Sequence, residues 1–74
     1  MLSYQPFWDT LKRKKISTYA LIEKHGISSG TIDRIRKGGY LTLRTVDDLC
    51  GILGCGIEEI VVHVAEDDGQ KNKA

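Results

Sequence analysis

Residues 21–38 read Leu21-Ile22-Glu23-Lys24-His25-Gly26-Ile27-Ser28-Ser29-Gly30-Thr31-Ile32-Asp33-Arg34-Ile35-Arg36-Lys37-Gly38, and their punctuation decides the fold. Gly26 offers the left-handed conformation that stops a helix. Two residues on, the Ser28 hydroxyl can accept an orphan backbone N–H and open the next helix. Ile27 precedes that cap and Ile32 follows it by four, the spacing of a hydrophobic staple. The stretch therefore predicts a helix, a tight glycine turn and a second helix.

The same punctuation recurs on either side. Ile16-Ser17 with Leu21, and Leu41-Thr42 with Val46, repeat the staple-and-cap arrangement of Ile27-Ser28 with Ile32. Three helix starts fall near residues 18, 29 and 43, and Gly26, Gly38-Gly39 and Gly54 supply the stops. An earlier helix runs from Pro6 to Lys15. Pro6 sits in its first turn, where a missing N–H costs little. Phe7, Trp8 and Leu11 point inward, and Lys12 to Lys15 gather at the end favoured by the helix dipole. A short fifth helix is expected over Ile57 to Val61. Val62-His63-Val64 reads as a strand or as that helix's frayed end.

The expectation is an all-α, compact five-helix domain with helices at 6–15, 18–25, 29–37, 43–53 and 57–61. Its core is assigned to Phe7, Trp8, Leu11, Leu21, Ile32, Ile35, Val46, Leu49, Leu53, Ile57 and Ile60. Residues 1–64 form the one domain. Residues 65–74 lack apolar periodicity and read as a mobile polar tail.

At 74 residues the chain has room for one small apolar core and little for a buried catalytic cleft. No apolar run nears the roughly 18 residues of a membrane span. Met1 to Pro6 lacks the basic and apolar regions of a signal peptide, so a cytoplasmic protein is expected. Cys50 and Cys55 are the two thiols, expected to be free there, with Cys50 a small core residue. Together with His25 and His63 they lack zinc-ligand spacing, so no metal and no cofactor are expected. The reading gives no small-molecule ligand either. Hydrolase chemistry has no parts: no Ser or Cys nucleophile has a His and Asp in reach, and Gly38-Gly39 lacks the lysine and hydroxyl of a phosphate loop. His25, beside Gly26, reads as a helix-end residue.

The net charge of +1 hides an asymmetry: residues 1–44 carry nine Lys or Arg against three acids, while residues 45–74 carry two against seven. One reading is a face for a polyanion and another that avoids it; the other is ordinary surface solubility. Helix three bears on the choice. At 100° per residue Thr31, Ile32 and Ile35 share one side, and Ser29, Gly30, Asp33, Arg34 and Lys37 the other. That second side is small near its N-terminus and basic further on. It suits a helix that reaches base edges, and equally a solvated surface.

The quoted stretch resembles the helix-turn-helix of the lambda-repressor-like (XRE/Cro) family in its Gly-Ile-Ser turn, its following Thr-Ile, its further apolar residue and its closing glycine. Leu43, Val46, Leu49, Leu53, Ile57 and Ile60 resemble that family's fourth and fifth helices, so the likeness spans about residues 6–61. More loosely, the chain is similar to the small regulators of G-type vancomycin-resistance operons. It departs from the family at Ile22, where alanine is usual because helices two and three cross closely. Either the helices splay there or a neighbour shrinks.

The resemblance implies a double-stranded DNA-binding transcriptional regulator, read as a repressor, that puts helix 29–37 into the major groove. Because one such helix reads only a few base pairs, a homodimer on two half-sites is expected as well. The resemblance implies base-facing positions at Ser29, Gly30, Asp33 and Arg34. It implies phosphate contacts at Thr18 and Ser28, and Arg36, Lys37, Tyr40, Thr42 and Arg44, around the loop between helices three and four, read as further clamps on the phosphate backbone. Of the first group, Arg34 alone can meet guanine O6 and N7 bidentately, Gly30 only permits approach, and Asp33 either accepts from cytosine or pairs with Lys37. Lys12 to Lys15 are a solvated helix end or further DNA contacts. The apolar run Ile60-Val61-Val62 serves either the dimer or packing against helix one. The competing function is a protein-interaction module, an antitoxin or anti-repressor, on the same fold.

Overall fold

The structure, a computed structural model, describes residues 1–65. The elements in chain order are β1 (Leu2–Ser3), α1 (Gln5–Lys14), α2 (Thr18–His25), α3 (Ser29–Arg36), α4 (Leu43–Leu53), a 3-10 turn (Ile57–Glu59) and β2 (Val62–His63). Residues 66–74, nearly all of the expected tail, lie outside the described residues.

Every expected side-chain cap forms. Ser17 Oγ accepts from Ala20 N at 3.0 Å, Ser28 Oγ from Thr31 N at 3.1 Å, and Thr42 Oγ1 from Thr45 N at 3.2 Å. Each hydroxyl satisfies one of the donors that a helix start leaves orphaned. The stops also form, with Gly26, Gly38 and Gly54 all at positive φ. Lys15 adopts the same left-handed conformation, φ 58°, without being glycine. It ends α1 one residue earlier than Lys12-to-Lys15 helicity would have it.

Three of these ends share one hydrogen-bond pattern, in which an amide reaches back five residues past the left-handed position. Ile16 N bonds Leu11 O at 3.0 Å, Gly39 N bonds Arg34 O at 2.8 Å, and Cys55 N bonds Cys50 O at 3.1 Å. This is the Schellman arrangement, which brings the two bonded residues' side chains together outside the last turn.

The core comprises Tyr4, Phe7, Leu11, Leu21, Ile32, Ile35, Val46, Leu49, Leu53 and Ile60. Two expected members differ. Trp8 is half-buried at the edge, its ring 5.0 Å from that of Phe7 in an edge-to-face contact. Ile57 is 52% exposed. Two core positions come from outside the expected set: Tyr4, and Thr10, which is buried with its hydroxyl donating to Glu59 O at 2.9 Å. Ile22 packs half-buried against the core, where its bulk can extend toward solvent instead of between the helices. The same boundary position holds for Cys50 and Cys55. Both are free thiols at the core's edge, and burial pushes both thiols up from their ordinary value.

The fifth helix and the all-α class are corrected. The chain after Gly56 makes a single 3-10 turn, closed by Glu59 N to Gly56 O at 3.0 Å and Ile60 N to Ile57 O at 2.9 Å. It then extends, and β2 pairs antiparallel with β1, Ser3 opposite Val62 and Leu2 opposite His63. Val64 N to Met1 O at 2.7 Å continues the ladder. The β-branched run Ile60-Val61-Val62 favours this outcome, because such side chains are stiff in a helix and at ease in a strand. The turn also drives Ile60 fully into the core and leaves Val62 exposed. Thus most of the apolar run that motivated a dimer packs within the chain.

Candidate nucleic-acid interface

Buried Ile32 and Ile35 fix the rotation of α3. With those two inward, helical geometry turns Ser29, Gly30, Asp33 and Arg34 outward, and all four are exposed. Ser28 is exposed too, but its oxygen is already engaged by Thr31 N and lies 3.0 Å from Thr31 Oγ1. Thr42 is committed in the same way to Thr45. Any anion held at these two helix starts would meet chiefly backbone N–H groups.

The charged side chains divide by whether they have partners. Asp33 Oδ2 lies 3.1 Å from Lys37 Nζ, the i,i+4 ion pair that was one of its two readings. The Arg36 guanidinium stacks over the Trp8 ring, 5.8 Å from its centroid, which ties it to the α1 side of the helix. Arg13 pairs with Glu59 at 2.6 Å. Among the described residues, no hydrogen bond or ion pair engages the guanidinium of Arg34 or of Arg44. Both are exposed.

Three large apolar side chains on these elements have little cover. Tyr40 and Leu43, in the turn between α3 and α4 and at the start of α4, are 77% and 80% exposed, and Tyr19 at the start of α2 is 72% exposed. Tyr40 is an expected contact. Tyr19 and Leu43 are not, and Leu43 corrects its placement on the apolar ladder of helix four. Their signal was positional: each falls in the first turn of a helix, beside Thr18 and Arg44 respectively. Thr18 itself is half-buried.

The far end of α3 is held from a distance. Tyr4, buried ahead of α1, donates its hydroxyl to Gly39 O at 2.7 Å. Burial pushes the Tyr4 phenol up from its ordinary value, so it stays a donor across the neutral range. Nothing local in the sequence marks Tyr4 for this role, since its partner is 35 residues away.

On another side, His25, Gly26, Ile27, Asp47, Asp48, Gly51 and Ile52 line an open cleft between the end of α2 and α4. It carries two acidic residues, Asp47 and Asp48. No helix among the described residues is long and apolar enough to cross a membrane.

Comparison with known proteins agrees with this arrangement. The Cro/C1-type HTH DNA-binding domain family matches residues 7–66. A solved structure described as the crystal structure of transcriptional regulator VanUg, Form II, superposes with a TM-score of 0.79 at 25% sequence identity, covering 88% of this chain and 87% of that one. Among curated proteins, none matches. The family match takes in α2, α3 and α4 with their side-chain caps and all of α1 but its first two residues, and the chain belongs to the Cro/C1-type helix-turn-helix DNA-binding domain family.

Proposed function

We propose that this chain is a sequence-specific double-stranded DNA-binding transcriptional regulator that inserts α3 into the major groove. The observation that carries the reading is the two-sided α3: Ile32 and Ile35 buried, Ser29, Gly30 and Arg34 exposed, and the Arg34 guanidinium without a protein partner among the described residues. Gly30 and Ser29 keep the first turn slim, and Arg34 supplies the fork that meets guanine O6 and N7. Arg44, Lys37, Tyr40 and the helix starts at Thr18, Ser28 and Thr42 serve the phosphates, with Arg36 reaching them from its seat on Trp8. Tyr19 and Leu43 add apolar contact to sugars.

Repression is the proposed sign of regulation, because occupying a promoter asks nothing beyond this face. One helix reads few base pairs, so a homodimer on half-sites about one helical turn apart is proposed to supply the rest. The exposed Val62 and Val64 of the terminal ribbon are its contact. The cytoplasm is the compartment.

A second reading has its own observation. The acidic cleft beside Asp47 and Asp48 fits a basic protein surface, as an antitoxin or anti-repressor would require. Selection from a randomised duplex library by the full chain separates the two. Enrichment of a defined site, lost when Arg34 is replaced, supports the regulator; no enrichment over random duplex supports the interaction module.

A further inference from the structure

The three helix ends that share the five-residue backbond differ in one respect. At Leu11/Ile16 and at Cys50/Cys55 the second residue has a side chain, and all four residues pack in or against the core. At Arg34/Gly39 the second residue has none. A β-carbon built on Gly39 would stand 2.7 Å from Arg34 Cγ, 3.4 Å from the Arg34 carbonyl oxygen and 3.7 Å from Arg34 Cδ, so the shortest contact by far is with the arginine stem. The space where that carbon would be is the space the Arg34 stem uses. Gly39 is not at positive φ, unlike its neighbour Gly38 at 77°, so its backbone conformation gives no reason for glycine. The requirement is for room.

We propose that Gly39 is a positioning residue for Arg34: the bare Cα at the end of α3 is the bed on which the arginine stem lies, and it sets where the guanidinium enters the groove. The Tyr4 hydroxyl bonded to the Gly39 carbonyl fixes the bed to the core. A stem held at Cγ and Cδ loses fewer rotamers when its fork meets a base, which raises discrimination without adding a contact. A methyl at this position forces the stem off by about an ångström, since ordinary carbon contacts begin near 3.5–4.0 Å. This inference rests on the base-reading role of Arg34.

The test is a double-mutant cycle with Gly39→Ala and Arg34→Ala, read as affinity for the library-selected duplex against a scrambled one, with thermal midpoints in parallel. Gly39→Ala in the wild-type background is expected to cut the preference about tenfold, the scale of one displaced base contact. Its affinity for scrambled duplex and its midpoint should stay near wild type. In the Arg34→Ala background, where Cγ and Cδ are gone and only the 3.4 Å contact with the carbonyl oxygen of residue 34 remains, the same substitution should leave the duplex preference unchanged. An unchanged preference in Gly39→Ala overturns the proposal. So does an equal loss in both backgrounds, because an effect on folding or on the turn would not need Arg34. If Arg34→Ala itself weakens both duplexes alike, the base-reading role falls and takes the positioning role with it. A specific loss in Arg34→Ala with none in Gly39→Ala refutes the positioning role alone.

Discussion

The two faces of the molecule treat polar groups in opposite ways. Where β1 and β2 pair and the 3-10 turn meets α1, polar groups are engaged by distant partners: the Thr10 hydroxyl by the Glu59 backbone carbonyl, Arg13 by the Glu59 carboxylate, and the amino terminus by the Val64 carbonyl at 3.0 Å. Across α2, α3 and the start of α4 the side-chain bonds of the caps are local, each reaching three residues ahead, and the long cations Arg34 and Arg44 stand exposed. A charge bonded across the chain serves the fold, and removing it should be felt in stability. Under the proposed function, Arg34 and Arg44 serve the DNA, and removing either should be felt in binding. The comparison can be broken at either face.

The largest effect belongs to the closure of the 3-10 turn and β2 on α1 and β1. Ile60 is fully buried where the 3-10 turn meets α1 and α4, so Ile60→Ala should cost about 2–5 kcal/mol in denaturant unfolding. The salt dependence of DNA binding by the remaining folded protein should be unchanged. A small cost would mean that the terminal segment is an appendage and not part of the core.

Next comes Arg34→Ala, the converse case. It should lose about 1–3 kcal/mol at the selected duplex, relax the preference at one base pair per half-site, and leave the thermal midpoint in place. Equal losses on selected and scrambled duplexes would reduce Arg34 to a phosphate contact.

A smaller change sharpens the comparison at the hinge between the faces. Lys15 holds a left-handed conformation that costs a side-chain-bearing residue about 1–2 kcal/mol, partly offset on mutation by the greater freedom glycine gives the unfolded chain. Lys15→Gly should therefore stabilise by up to about 1 kcal/mol. A clear destabilisation would show that the lysine side chain has a structural contact.

The smallest effect is a pH dependence. The Arg13 hydrogen bond first, and the Gly56 N–H second, hold the Glu59 carboxyl below its ordinary value. A carboxylate lowered in the folded state stabilises above its unfolded pKa, and that contribution is lost as pH falls through the folded value. Acid titration of Glu59→Gln should show less loss of stability across the carboxylate range than wild type. Coincident profiles would mean that the Arg13 pair contributes nothing measurable, as exposed pairs often do.

The run from α2 to α4 was legible in the sequence because its determinants are local. Ser17, Ser28 and Thr42 with their staples, and Gly26, Gly38 and Gly54 after them, lie within a few residues of the ends they define. The closure was not, because its determinants meet only in the fold. Nothing near Tyr4 or Thr10 announces partners at Gly39 and Glu59, and a lone threonine on a helix reads as surface. The β-branched run after Glu59 held the information for a strand. Its partner is two residues at the far end of the chain, beyond what periodicity can pair. At the candidate interface, exposure of Ser29, Gly30, Asp33 and Arg34 followed from helical phase alone. The bed at Gly39 did not, because Gly38-Gly39 read as one helix stop and only the three-dimensional contact separates their tasks.

In the proposed function the basic face binds duplex DNA through phosphates while α3 reads bases. The most direct test of this is a fluorescence-anisotropy titration of the full chain against the selected duplex at graded salt. If about five to seven phosphates are neutralised, log K should fall against log[salt] with a slope of about −0.9 for each, and Arg44→Ala should flatten the slope by about one unit. Binding that ignores salt, or a slope untouched by loss of Arg44, would contradict it.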